Sequence, residues 1–188
     1  MHQALSPLSK IFFCIFSCFS ITVLPTQAQI TPDNTLSTKV DSDGNVSEIT
    51  GGQTRGDNLF HSFEEFSVPS GEAFFNNASD ISNIFSRVTG GNISNIDGLI
   101  RANGNASLFL INPNGIIFGE NASLDIGGSF FSSTADGIVF ADSEFRARDI
   151  DSPLLTINAP IGVNLGANPG TIVNRSISKD TKIRRIST

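Results

Sequence analysis

Asn105-Ala106-Ser107-Leu108-Phe109-Leu110-Ile111-Asn112-Pro113-Asn114-Gly115-Ile116-Ile117-Phe118 decides the architecture. Two short apolar runs flank a four-residue stop made of Asn, Pro and Gly. Runs of four to six residues bounded by such residues read as strands joined by turns. Asn and Gly tolerate a positive φ, and Pro presets the second position of a turn. The same grammar recurs at Ser123-Leu124-Asp125-Ile126 and at Leu155-Thr156-Ile157, with turn signals at Gly90-Gly91-Asn92, Asn103-Gly104-Asn105 and Gly127-Gly128.

The unit also repeats. Asn105-Ala106-Ser107-Leu108-Phe109-Leu110 returns at Asn121-Ala122-Ser123-Leu124-Asp125-Ile126, and Asn77-Ala78-Ser79 is a fainter copy. Repetition of turn and strand is the mark of stacked coils. A β-sandwich is the competing all-β reading, but its strands recur every 8–12 residues or so, a looser rhythm than this. Asparagines at coil corners can also stack in amide ladders. At about 20 residues per coil the expectation is roughly seven coils, with Leu108, Leu110, Leu124 and Ile126 sharing one inward phase. An end coil would expose strand edges, so residues 30–52, with the turn Asp43-Gly44-Asn45, are expected to form an N-terminal cap. Phe60, Phe63 and Phe66 are expected in the core of an early coil.

Residues 1–28 read as a signal peptide. Lys10 precedes an apolar run from Ile11 to Leu24, and Thr26-Gln27-Ala28 supplies small residues for cleavage between Ala28 and Gln29. The run is shorter than the roughly 20 residues of a membrane-spanning helix. A lipid anchor on Cys18 is disfavoured by the bulky Phe16 before it. Residues 29–175 are expected to form one β-helical domain, and residues 176–188 a basic tail.

Removal of residues 1–28 also removes Cys14 and Cys18 and leaves no cysteine, so no disulfide, thiolate nucleophile or Cys-ligated metal is available. The remaining chain is acidic, with a net charge of −7, which disfavours nucleic acid as a partner. Gly and Asn number 17 each, a composition against helices.

Catalytic chemistry finds little to use. His61 is the one histidine after residue 28, so neither a multi-histidine zinc site nor a Cys–His dyad can be built. No Gly-x-Ser-x-Gly elbow accompanies it. Glu64 with Glu65, Asp136 with Asp142 and Asp149 with Asp151 are carboxylate pairs without a specific pattern, and neighbours in a strand point to opposite faces. Asp41-Ser42-Asp43-Gly44-Asn45 lacks the later ligands of a calcium loop and reads as a turn. Asn105-Ala106-Ser107 matches a glycosylation acceptor, as Asn-rich turns do by chance.

An ordered set of motifs carries more weight. Gln29-Ile30-Thr31-Pro32-Asp33, Asn58-Leu59-Phe60-His61-Ser62-Phe63, Arg87-Val88-Thr89-Gly90-Gly91-Asn92, the stretch from Leu108 through Asn112-Pro113-Asn114-Gly115 to Gly119, and Asn168-Pro169-Gly170 occur in this order. Together they resemble the two-partner-secretion domain of filamentous-haemagglutinin-type exoproteins, particularly the cyanobacterial branch. The resemblance spans about residues 30–176. It implies a right-handed, single-stranded, pectin-lyase-like parallel β-helix that acts as a secretion and recognition module without catalysis or cofactor. Its partner would be a TpsB-type outer-membrane transporter whose POTRA domains bind the chain while extended. Asn112, Pro113, Asn114 and Gly115, then Phe60 and His61, become the candidate recognition residues. Delivery to the cell surface or medium, through Sec and the periplasm, follows from the same resemblance, as does a part in an adhesin with a host or cell-surface target. A small carbohydrate-binding or carbohydrate-active β-helix is the alternative, weakened by the lack of Trp and Tyr.

Overall fold

A computed structural model describes residues 29–148 and 155–177. The cleavage segment up to Ala28, the pair Asp149 and Asp151, and the tail beyond Ile177 lie outside the described residues. No helix occurs among the described residues, whose regular elements are all strands joined by turns and short connections. The protein is a parallel β-solenoid of about four turns with an antiparallel cap and an antiparallel outer sheet.

The cap and first coil comprise β1 (Gln29–Pro32), β2 (Thr38–Asp43), β3 (Val46–Gly51), β4 (Gln53–Arg55) and β5 (Asn58–Ser67). The second and third coils run through β6 (Glu72–Phe75), β7 (Asn83–Val88), β8 (Ser94–Ile96), β9 (Leu99–Ala102), β10 (Ser107–Ile111) and β11 (Gly115–Phe118). The fourth starts with β12 (Ser123–Asp125) and β13 (Phe130–Ser133). The chain then leaves the solenoid for the outer sheet, β14 (Gly137–Phe140), β15 (Glu144–Arg146) and β16 (Pro160–Asn164), and returns as β17 (Thr171–Asn174).

Three parallel ladders result. β5, β7, β10 and β13 stack in the first, β3, β6, β9 and β12 in the second, and β8, β11 and β17 in the third. In the first ladder Leu59, Ile84, Leu108 and Phe130 occupy one column, so a coil takes 22–25 residues. The expected seven coils are therefore about four. Each coil is longer than 20 residues, and the outer sheet of β14, β15 and β16 takes up chain that would otherwise form further coils.

The alternation expected for the strands holds in β10, whereas Leu155-Thr156-Ile157 forms no strand: it lies in the connection before β16, where the Thr156 carbonyl accepts from Asn58 Nδ2 and Ile157 is exposed. Leu108 and Leu110 point inward and are fully buried, and Phe60, Phe63 and Phe66 are buried in the first coil. Burying each such side chain contributes on the order of 1.5–3 kcal/mol. Leu124 departs from the expectation: it shares a column with the buried Ala73 and Ile100, yet is 40% exposed. It lies on the last rung, where no strand follows β12 in its ladder. The sequence repeat at Asn105 and Asn121 has the same explanation in part. Its two copies form β10 and β12, strands of different ladders, so the repeat marks a turn-and-strand unit and not a whole coil.

Residues 30–52 do close the N-terminal end. β1 and β4 pair antiparallel with β5, and β2 pairs antiparallel with β3, so the first coil offers no parallel edge. Gly44, at φ +57, makes the β2–β3 turn, and Asp41 to Asn45 serve that hairpin. At the other end β12, β13 and β17 are all outermost strands among the described residues.

Candidate functional site

The corner Asn112-Pro113-Asn114-Gly115 joins β10 to β11, where the chain passes from the first ladder to the third. Gly115 N–H donates to the Asn112 carbonyl at 3.1 Å, which closes the turn. Asn112 holds it from both sides. Its Oδ1 accepts from the Asn114 backbone N–H at 3.0 Å, an Asx turn, while its Nδ2 donates to the Asn92 carbonyl at 3.0 Å and to Ser94 Oγ at 2.9 Å. Asn114 Nδ2 reaches the Gly90 carbonyl at 2.6 Å. Two side chains thus pin this corner to the corresponding corner of the preceding coil, residues 90–94.

Gly115 supplies the unusual backbone, at φ +133. A Cβ there would also meet Thr171 O at 3.1 Å and the Ile93 side chain at 3.4 Å, so the next rung approaches closely. Asn112 is 0% exposed. Pro113 and Gly115 are buried too, and Asn114 is half-buried.

Asparagine pairs link other corners in the same way. Asn83 Nδ2 donates to Asn58 Oδ1 at 2.9 Å, Asn103 Nδ2 to Asn76 Oδ1 at 2.7 Å, and Asn103 N–H to Asn77 Oδ1 at 3.0 Å. These are the amide ladders expected of stacked coils.

Phe60 and His61 sit on opposite faces of β5 and both are buried. Phe60 heads an outward column that runs through Phe85, Phe109 and Phe131, with successive ring centroids 5.1, 4.8 and 5.8 Å apart. The outer sheet covers its first half: Phe145 and Phe140 meet the Phe60 ring at 5.2 and 6.2 Å. The second half borders a groove of about 250 Å³ lined by Phe109, Phe131, Ile138, Pro160, Gly162 and Val163. No polar side chain lines it, so sugar hydroxyls would find no side-chain partner there.

His61 faces inward. Its ring lies near Phe63 and Phe75, at 6.0 and 5.6 Å, and Nδ1 shares a hydrogen bond of 3.2 Å with Thr38 Oγ1. Burial pushes its pKa down to about 4, so the imidazole is neutral at pH 7. Ser86 is its register neighbour on β7, but the buried Ser86 hydroxyl has no hydrogen-bond partner. The two do not form a nucleophile and base.

The carboxylates are dispersed. Glu65 accepts from Asn92 Nδ2 at 2.5 Å, Asp136 pairs with Arg148 at 3.0 Å, and Asp142 accepts from Thr156 Oγ1 at 3.0 Å. Among the described residues no group of three His, Cys, Asp or Glu side chains could hold a metal ion. The cluster that sequence reasoning missed surrounds Arg87, fully buried on β7. A lone arginine in a strand gives no signal of burial, since its partners come from distant segments.

A capped parallel β-solenoid, its corners stapled by asparagine side chains, is the class of protein these features define. The chain belongs to the TPS secretion domain family, whose sequence profile matches residues 28–184. It is also similar to the heme/hemopexin-binding protein of Haemophilus influenzae, at 44% identity over 52 residues. That match covers 28% of this chain and 5% of the relative. Proteins of this family are secreted through the outer membrane by a transporter partner.

Proposed function

We propose that this protein is the non-catalytic secretion and recognition module of a filamentous-haemagglutinin-like exoprotein. It enters the periplasm with residues 1–28 as its signal peptide and leaves through a TpsB-type transporter, whose POTRA domains receive it as an extended chain. The burial of Asn112, Pro113 and Gly115, with Asn114 half-buried beside them, is the observation that carries this reading. A receptor cannot reach buried side chains on the folded solenoid. Phe60 and His61 are equally hidden. These residues can therefore be read only before folding, when an extended segment can add to a sheet edge of its receptor through main-chain hydrogen bonds. Folding would then withdraw them and discourage return through the pore.

The relative's heme or hemopexin binding is not extended to this chain, because the shared segment is a small part of that protein. Adhesion belongs to the proposal only as a property of a larger exoprotein.

The test co-expresses the chain with a candidate transporter and measures the secreted fraction of wild type, Asn112→Ala and Gly115→Val against each purified domain's denaturation midpoint. Asn112→Ala is expected to lose more secretion than its stability explains, relative to Gly115→Val. Secretion that tracks stability across all variants would reduce the motif to a fold determinant. Secretion that persists without any transporter would remove the two-partner reading.

A further inference from the structure

Asp33 and the segment Arg87-Val88-Thr89 have no part in the Asn112 corner, yet they meet. Arg87 points to the outward face of β7, in register with Ser62, and is nonetheless 0% exposed. Its Nε donates to Ser62 Oγ at 2.7 Å, Nη2 to Thr35 Oγ1 at 3.0 Å, and Nη1 to the Arg146 carbonyl at 2.5 Å. The guanidinium carbon lies 4.7 Å from the centre of the Phe145 ring. Ser62 in turn donates to Asp33 Oδ2 at 2.5 Å, as does Thr89 at 2.8 Å, while Asp33 Oδ1 accepts from the Thr35 N–H at 2.9 Å and its hydroxyl at 2.8 Å. Burial pushes the Asp33 pKa up, but the bonds from Ser62, Thr35 and Thr89 outweigh it and leave the pKa lowered.

The cluster joins four places: the loop after β1, the first coil, the second coil and the outer sheet. Asp33 is the acidic group whose charge acts on Arg87, and Ser62 relays between them. The outer sheet can cover Arg87 without trapping an unbalanced cation only while Asp33 and Thr35 are in place. If the cap opens, the covering of Arg87 by Phe145 and the Arg146 carbonyl becomes unfavourable.

We infer that the Asp33–Ser62–Arg87 network is a conformational lock that makes the N-terminal cap and the outer sheet close and open together. Solenoids ordinarily couple only adjacent repeats and can fray rung by rung. Here the loop at Asp33 is coupled to a sheet more than a hundred residues later in the chain, as the bond from Arg87 to Arg146 spans 59 residues and that to Thr35 spans 52.

Native-state hydrogen exchange on the full chain, followed through increasing denaturant below the unfolding transition, tests this. Cap amides such as Gly52, bonded to the Ser37 carbonyl, and outer-sheet amides such as Ala147, bonded to the Asp136 carbonyl, are expected to merge into one opening with one denaturant dependence. In Asp33→Asn the protection of both regions should fall tenfold or more, although the bonds of Asp33 run to Thr35, Ser62 and Thr89 and none of these lies in the outer sheet. In Arg87→Met, with no cation to cover, the two regions should open independently. An outer sheet that opens before the cap in the wild-type chain would overturn the lock, whether or not the variants fold. Loss of protection confined to the cap in Asp33→Asn would overturn it as well.

Discussion

At Gly115 a hydrogen stands where every other residue would place a carbon between two rungs. The φ of +133 and the approach of Thr171 O to 3.1 Å act in the same direction, so Gly115→Val is expected to destabilise the domain by roughly 1–3 kcal/mol through backbone strain. Denaturant midpoints at unchanged slope check this. Asn112→Ala removes bonds to Asn92, Ser94 and Asn114 and leaves buried groups unpaired, a loss of about 1–3 kcal/mol. His61 adds a pH dependence. Its pKa is about 4 in the fold and 6.5 unperturbed, so the unfolded chain takes up the proton first as pH falls. Stability is full above about 6.5 and declines as pH falls towards 4, by an eventual amount of about 3 kcal/mol. Unfolding midpoints at pH 7.5 and 4.5 should converge in His61→Leu relative to wild type. An equal pH effect in both would show that other groups produce it.

Among elements, position along the stack matters more than residue type. Leu110 and Leu124 look alike in sequence, each in a short apolar alternation that begins at an Asn-Ala-Ser corner, three residues after Ser107 and one after Ser123. Leu110→Asp would bury an unpaired charge between Ser86 and Ser132 and is expected to prevent folding. Leu124→Asp, on the open last rung, should cost within about 1 kcal/mol. Circular dichroism with a denaturation series on both variants separates the cases, and equal damage would mean that the last rung is covered in solution. The contrast also shows what sequence could and could not convey. Strand alternation, Asn-rich corners, the hairpin at Gly44 and the buried Phe60, Phe63 and Phe66 were legible, because each rests on local periodicity or turn chemistry. Coil length was not, since the Asn-Ala-Ser-Leu repeat falls on strands of two different ladders. The outer sheet was equally hidden: Ile138 and Ile161 sit in short apolar runs like those of the solenoid, and only the antiparallel pairing of β14 with β16 sets them apart.

For the whole molecule, the two ends differ in chemistry. β1 begins at Gln29, which pairs with Ser67, and Ile30 beside it is 8% exposed in the core. Processing after Ala28 would leave this closing strand whole, whereas cleavage a few residues later would remove a core side chain. Amino-terminal sequencing of exported protein is therefore expected to begin at Gln29. A start beyond Ile30, or retention of residues 1–28, would contradict it. Of the candidate recognition residues, sequence supplied the identities but not their burial: Asn112 and Asn114 bond to residues 18–24 positions away, and Phe60 is covered by Phe140 and Phe145 of the outer sheet. That burial has an immunological corollary. Serum raised against the native domain should contain few antibodies to the segment around Asn112-Pro113-Asn114-Gly115, because Asn112, Pro113 and Gly115 are buried and Asn114 is only half exposed. Antibodies raised against the free peptide should bind denatured chains and pass over mature ones. Such a reagent would act as a stain for protein still in transit, distinguishing cells with a stalled export queue from cells whose cargo has already reached its destination.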